Sequence, residues 1–181
     1  EALKSQLSPH YLFNCLNTIS SLVYISPEQA ENYIRRLVQT YQYILNTKNK
    51  KLVPLSEELD FVNAYKFLLK VKYENALKLT IDIPESIHQS MLPPLTLQML
   101  VENAVKHNDV SDDVPLNIKI CLDHNNLITV SNTKNEKKIQ DTSFKIGIEN
   151  IKRRYRFFTE HSVQILNAEK FSVSLPILDT K

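Results

Sequence analysis

Two groups of side chains in this sequence have the types and spacing for chemistry. The first lies in Ser8-Pro9-His10-Tyr11-Leu12-Phe13-Asn14-Cys15-Leu16-Asn17. At about 100° per residue on a helix, Leu12, Leu16, Ile19 and Val23 fall in one narrow arc, and His10, Asn14, Asn17 and Ser21 gather opposite. The pattern predicts that the core takes the leucine arc and leaves His10 in the open. An imidazole with an ordinary pKa of roughly 6.5, set just after a proline at a helix start, is a candidate nucleophile or proton carrier. An exposed histidine with no task is the commoner case.

The second group lies on a helix expected over 95–107. Leu97, Leu100, Val101, Ala104 and Val105 share one side of it, and Glu102, Asn103, Lys106 and His107 share the other. Asparagine and carboxylate oxygens are hard ligands that suit Mg²⁺, and a lysine ammonium is a natural phosphate contact. A solvated helix face would carry the same residue types.

Other elements must hold these two helices. After the first helix, Ser26-Pro27-Glu28-Gln29 makes a capping box that restarts the chain. Ala30, Tyr33, Ile34, Leu37, Val38, Tyr41, Ile44 and Leu45 then run at helical spacing. The two helices form a hairpin that cannot bury both stripes alone. Pairing with a second copy into a four-helix bundle solves this, as would packing on the rest of the same chain. Lys48 to Lys51 is a polar break and a candidate hinge. Ser56, Glu57 and Glu58 start a third helix, with acids at its positive end.

From Leu77 the period changes to two. Leu77 to Ile83, Leu116 to Leu122, Leu127 to Asn132, Val163 to Leu166 and Phe171 to Leu175 read as strands, with Asp123 to Asn126 as a hairpin turn. Thr133 to Phe144 is polar and aperiodic and reads as a lid-like loop. Gly147 is expected to precede a helix from Ile148 to about Phe158. The fold class is α+β: an N-terminal helical hairpin, residues 1–50, followed by a sandwich of helices on a mixed, mostly antiparallel sheet, residues 51–181.

Composition removes several function classes. A net charge of +2, without a basic run interleaved with aromatics, argues against direct nucleic-acid binding. Cys15 and Cys121 lack zinc or disulfide spacing. No stretch approaches the ~18 to 20 apolar residues of a membrane helix. Glycine occurs once, at Gly147, so a glycine-rich phosphate loop is excluded except around that residue.

Taken in order, the motifs resemble those of the LytS/YehU-type sensor histidine kinases over nearly the whole chain. That family's first helix reads roughly Gln-x-x-Pro-His-Phe-Leu-Phe-Asn-x-Leu-Asn, matched here from Gln6 to Asn17. Its second signature, Leu-Gln-Pro-Leu-Val-Glu-Asn-Ala-x-x-His, is matched from Leu97 to His107 with Met99 in place of the proline. A weaker third match aligns Gly147 to Tyr155 with a Gly-Leu-x-Asn-x-x-x-Arg segment.

The resemblance implies a dimerising phosphoacceptor region and a Bergerat-type ATP-binding domain, the fold shared with gyrase, Hsp90 and MutL. It implies His10 as phosphoacceptor, Asn103 as Mg²⁺ ligand, Lys106 towards the phosphates and Glu102 as a base or polariser. His107, Gly147, Ile148 and Asn150 would border the nucleotide. The implied cofactors are ATP and Mg²⁺. The implied partners are a second copy in a homodimer and a response regulator of the LytTR DNA-binding type. The implied location is the cytoplasmic portion of a bacterial inner-membrane protein, with an upstream membrane sensor segment outside this sequence.

Two departures stand out. Kinases of this fold carry Asp-x-Gly-x-Gly where this chain has Asn132-Thr133-Lys134-Asn135. Asparagine can accept the adenine amino hydrogen bond, but an uncharged acceptor is weaker than a carboxylate. Lys145 stands where the lid would carry another glycine. A competent kinase and a dimeric scaffold with weak or no ATP binding both remain open. A hydrolysing ATPase of the gyrase type would leave the Ser8 to Asn17 motif without purpose.

Overall fold

The computed structural model describes residues 9–135 and 143–178, with side chains for all of them except Pro9, His10 and 143–146. Gln6, Leu7 and Ser8 of the first motif, the imidazole of His10 and the middle of the expected loop at 133–144 lie outside the described residues.

Helices α1 (Pro9–Ile25) and α2 (Pro27–Thr47) form the expected hairpin. Its turn is built as the sequence dictates: Pro27 occupies a position whose N–H would have no partner, and the Ser26 hydroxyl accepts the Gln29 N–H at 3.3 Å. The face buried within the chain, however, is not the expected one. Cys15 and Leu22 turn inward, whereas Leu12, Leu16 and Val23 are 41%, 48% and 49% exposed. On α2, Ala30, Tyr33, Leu37 and Ile44 are buried, and Ile34, Val38 and Leu45 are exposed. The apolar stripe on each helix is wider than its neighbours within the chain can cover.

A short exposed link leads to α3 (Leu55–Tyr73). This helix is buried on several sides, through Leu55, Leu59, Phe61, Val62, Ala64, Tyr65, Leu68 and Leu69. It has α2 on one side and the rest of the fold on the other, so an apolar residue fits almost anywhere around it. The Phe61 ring lies 4.9 Å from Tyr43 of α2 and 6.3 Å from Tyr65. Just before α3, β1 (Val53–Pro54) pairs antiparallel with β3 (Met91–Leu92), and the Leu55 N–H donates to the Ser90 carbonyl at 2.7 Å. These contacts clamp the start of α3 to the segment that enters α4 (Thr96–His107).

The remaining strands are β2 (Leu77–Asp82), β4 (Leu116–Leu122), β5 (Leu127–Thr133), β6 (Gln164–Asn167) and β7 (Lys170–Pro176). They form one sheet in the order β2-β4-β5-β7-β6. Only β2 and β4 run parallel, with Leu77 opposite Leu116, and the other pairs are antiparallel. Period-two alternation gives the sheet one covered face, lined by Leu77, Leu79, Leu116, Ile118, Ile120, Ile128, Val130, Val173 and Leu175. Lys78, Thr80, Asn117 and Lys119 stand on the open face. At the hairpin turn Asp123 accepts the Asn125 and Leu127 N–H groups at 2.9 Å each, and Asn126 takes a φ of 60°.

The last helix, α5 (Ser143–Tyr155), corrects the sequence reading. It starts before Gly147, so the glycine sits inside a helix rather than ahead of one, and its φ is not positive. Ser143-Phe144-Lys145-Ile146 alternates polar and apolar residues, a period of two that does not announce a helix start. A helical glycine costs roughly 1 kcal/mol relative to alanine, which asks what keeps it there.

Candidate functional site

The reason for Gly147 is Asn103. A Cβ at Gly147 would lie 3.1 Å from Asn103 Nδ2 and 3.4 Å from its Oδ1, tighter than side chains ordinarily pack. Helix α5 therefore approaches α4 at the asparagine, and only glycine leaves the amide undisturbed. Among the described residues Asn103 Nδ2 is buried with no hydrogen-bond partner. A buried amide without a partner costs free energy, so this arrangement points to a group that completes it.

The rest of the α4 face forms one stripe. Lys106 and His107 lie three and four residues beyond Asn103, so they stack along the same side. Lys106 is exposed, whereas Glu102, Asn103 and His107 are half-buried. The face read as open to solvent is thus sheltered along much of its length, because α3 and α5 rise on either side of α4. Glu102 accepts a 2.7 Å hydrogen bond from Gln98 Nε2, and Gln98 itself is buried.

A cleft runs between this face and the hairpin. Tyr11 of α1, Thr40 and Tyr41 of α2, Phe61 and Tyr65 of α3, and Gln98 and Glu102 of α4 line it. Burial, then the nearby Glu102 carboxylate, pushes the Tyr65 hydroxyl pKa well up. Burial likewise raises that of Tyr11. Both hydroxyls stay protonated. Since Tyr11 follows His10 in the first turn of α1 and lines this cleft with Glu102, the backbone of His10 lies towards the side of α4 that carries Glu102.

Asn132 continues the inward row of Ile128 and Val130 and is 5% exposed. A polar side chain thus occupies a core position of the covered sheet face. Its Nδ2 donates to the Thr133 carbonyl at 2.7 Å, which leaves Oδ1 as the acceptor. Two further asparagines escaped the sequence reading. Asn108, 7% exposed, donates to the Ala104 carbonyl at 2.8 Å and accepts the Asn135 N–H at 2.8 Å. The Asn135 amide in turn reaches the carbonyls of Asp109, Val114 and Pro115 at 3.0 to 3.2 Å. Together they pin the end of α4 to the segment leaving β5. No periodicity marks such residues.

Two expected site residues fall elsewhere. Ile148 is 4% exposed and packs in the hydrophobic core, so its side chain is spent on stability. Asn150 accepts from Arg153 at 3.4 Å on the surface of α5. The structure brings together Glu102, Asn103 and Gly147, with Lys106 and His107 on the same helical stripe.

The buried Glu58 carboxylate supports this site from behind. Its Oε1 accepts Tyr43 Oη and the Leu95 N–H, each at 2.5 Å, and its Oε2 accepts the Leu97 N–H at 3.0 Å. Leu95, the N-cap residue of α4, has a φ of 65° and no side-chain cap of its own, so Glu58 caps α4 from another helix. Burial raises the Glu58 pKa, against the lowering effect of its three donors and of Arg154 on α5.

Known proteins resemble this chain over much of its length. The histidine kinase family profile matches residues 1–77. Sensor protein kinase HptS of Staphylococcus aureus strain USA300 is 32% identical over 125 residues, covering 69% of this chain and 24% of HptS; HptS of strain N315 gives the same values. The chain spans about a quarter of the length of these curated relatives. Among solved structures, the blue-light-activated histidine kinase of Erythrobacter litoralis EL346 is 11% identical, with a TM-score of 0.44 over 94% of this chain and 63% of that one. Its histidine kinase domain is 14% identical, with a TM-score of 0.45 over 97% of this chain and 92% of that one. The chain belongs to the histidine kinases. The similarity to HptS is in line with the LytS/YehU-type resemblance of its motifs.

Proposed function

We propose that this chain is the catalytic core of a two-component sensor kinase that binds Mg·ATP on the Asn103 face of α4 and transfers the γ-phosphoryl group to His10. The observation that carries this reading is the buried Asn103 Nδ2, a donor without a partner among the described residues, packed against the chain's single glycine where a phosphate oxygen would serve as its acceptor. The donor set fits an Mg²⁺ held largely by substrate. Among the described residues no group of three His, Cys, Asp or Glu side chains could hold a metal, and Mg²⁺ typically takes one or two protein oxygens, with phosphates and water completing its shell. When bound, the ion neutralises phosphate charge.

The chain's own residues do the rest. Asn103 Oδ1 is the protein oxygen for the metal, and Lys106 presents positive charge one turn along α4. Asn132 Oδ1 accepts from the adenine amino group. A neutral His10 nitrogen attacks the γ-phosphorus in line, the bond to the β,γ-bridging oxygen breaks, and ADP leaves. Glu102 holds the imidazole proton as the ring gains positive charge. Positioning and charge neutralisation supply most of the acceleration. His107 and the Gly147 backbone border the phosphates; for Ile148, only the backbone remains available for such a role.

Residues 1–50 act as the dimerisation and phosphoacceptor region and 51–181 as the ATP-binding domain, with Lys48 to Lys51 as the pivot between them. The exposed stripe of Leu12, Leu16, Val23, Ile34, Val38 and Leu45 supports pairing with a second copy into a four-helix bundle. The phosphoryl group then passes to an aspartate of a response regulator of the LytTR type. The chain would work as the cytoplasmic portion of a bacterial inner-membrane protein; among the described residues no helix is long and apolar enough to cross a membrane.

Incubation with γ-labelled ATP and Mg²⁺ tests the reading. An acid-labile label that vanishes in His10→Gln supports it. No label in either chain, with no nucleotide-dependent rise in melting temperature, supports the scaffold reading, which the uncharged Asn132 favours. Asn132 also gives a separate prediction. Asn132→Leu keeps the volume and removes the acceptor, so ATP affinity should fall about tenfold and the preference for ATP over GTP should disappear. Titration of both nucleotides checks this, and an unchanged preference would show that adenine is read elsewhere.

A further inference from the structure

We propose that Glu58 is a positioning residue that ties the pose of the hairpin to the helix carrying Asn103. The inference rests on the reading of Asn103 and His10 given above.

A helix start is ordinarily capped by its own N-cap side chain. Here α4 begins at Leu95, an apolar residue in the left-handed region, and its N–H groups are satisfied by a carboxylate from α3. The oxygen that takes the Leu95 N–H also takes the hydroxyl of Tyr43, which belongs to α2 of the hairpin. Two donors on one carboxylate oxygen polarise it jointly, so loss of one changes what the other meets. A movement of the hairpin that withdraws Tyr43 therefore changes the cap of α4 directly.

The same carboxylate faces α5. Arg154 is the cation that favours its charged form, and the Glu58 charge in turn raises the Arg154 pKa against the lowering effect of burial. Helix α5 carries Gly147, the residue packed on Asn103. One fully buried group thus touches or faces α2, α4 and α5 from its place on α3. Residues 48–51 of the link are exposed, whereas at Glu58 the hairpin and the helix of the proposed nucleotide site share one carboxylate oxygen. Tyr43 transmits and Glu58 receives.

Tyr43→Phe in the purified chain tests the tie, because it keeps the ring packed on Phe61 and removes one hydroxyl. Three quantities are read in the wild type, Tyr43→Phe, Glu58→Gln and the double variant: Mg·ATP affinity, the rate of His10 labelling at saturating ATP, and amide hydrogen exchange at Leu95 and Leu97. Tyr43→Phe should leave ATP affinity within about twofold, slow labelling about tenfold and speed exchange at Leu95 and Leu97 about tenfold, the range of one lost hydrogen bond to a charged group. The double variant should be no slower than Glu58→Gln alone. Unchanged labelling and exchange in Tyr43→Phe, or effects that multiply in the double variant, would overturn the tie. If the wild type binds ATP but takes no label, the kinase reading fails, and exchange at Leu95 and Leu97 still decides whether Tyr43 acts on the cap.

Discussion

Asn103→Ala is expected to abolish Mg·ATP binding while leaving the chain as stable as before. The two halves of this result have separate causes. Removal of a residue that merely supports a metal ligand typically costs ten- to a hundredfold in affinity, so loss of the ligand itself should cost at least about a hundredfold. Stability should not follow, because the Asn103 amide nitrogen is buried without a partner, and deleting such a group relieves a desolvation penalty of about 1 kcal/mol or more. Gly147→Ala should separate the same quantities from the other side. It gains helix propensity of roughly 1 kcal/mol, yet places a methyl group 3.1 Å from the amide and so displaces it. Nucleotide titration with and without Mg²⁺, beside thermal melts, checks both variants. A parallel loss of affinity and stability would show instead that Asn103 is a packing residue.

The second large effect is on stability. Glu58→Ala strands the buried Leu95 and Leu97 N–H groups and removes the partner of the half-buried Tyr43 hydroxyl, and Glu58 itself is 0% exposed. At about 1 to 3 kcal/mol for each buried donor left unsatisfied, the variant should lose on the order of 3 kcal/mol or more, a large share of the roughly 5 to 15 kcal/mol typical of a domain. Glu58→Gln, which keeps one acceptor oxygen and the volume, should lose less. Urea denaturation measures both. A loss below about 1 kcal/mol for Glu58→Ala would mean that the α4 start finds its partners elsewhere.

How much of this was legible in the sequence depends on whether the signal was local. The strands from Leu116 to Leu122 and from Leu127 carry strict alternation with an Asp-His-Asn-Asn turn, and the structure follows them within a residue. The α2 start was equally plain, because proline and a capping serine act within four residues. The helical stripe from Glu102 to His107 was readable for the same reason. What failed was long-range. Leu12, Leu16 and Val23 read as core, but which side of an amphipathic helix its own chain covers depends on where α2 and α3 lie. Glu58 read as an ordinary first-turn acid, and nothing near it in sequence announces that its carboxylate caps a helix thirty-seven to thirty-nine residues later.

Gly147 gives the sharpest lesson. As the lone glycine it reads as the residue ahead of a helix, after the lid-like loop. The structure shows a helical glycine whose missing side chain makes room for Asn103. The two expected site residues were thus partners in contact, a relation that sequence spacing does not carry.

The destination of the γ-phosphate separates a kinase from a scaffold. Peptide mapping of the chain after incubation with Mg·ATP, under alkaline conditions that preserve phosphohistidine, answers this directly. Phosphate is expected on His10 and on none of His88, His107, His124 and His161. A chain that binds Mg·ATP through Asn103 yet leaves His10 unmodified would contradict it.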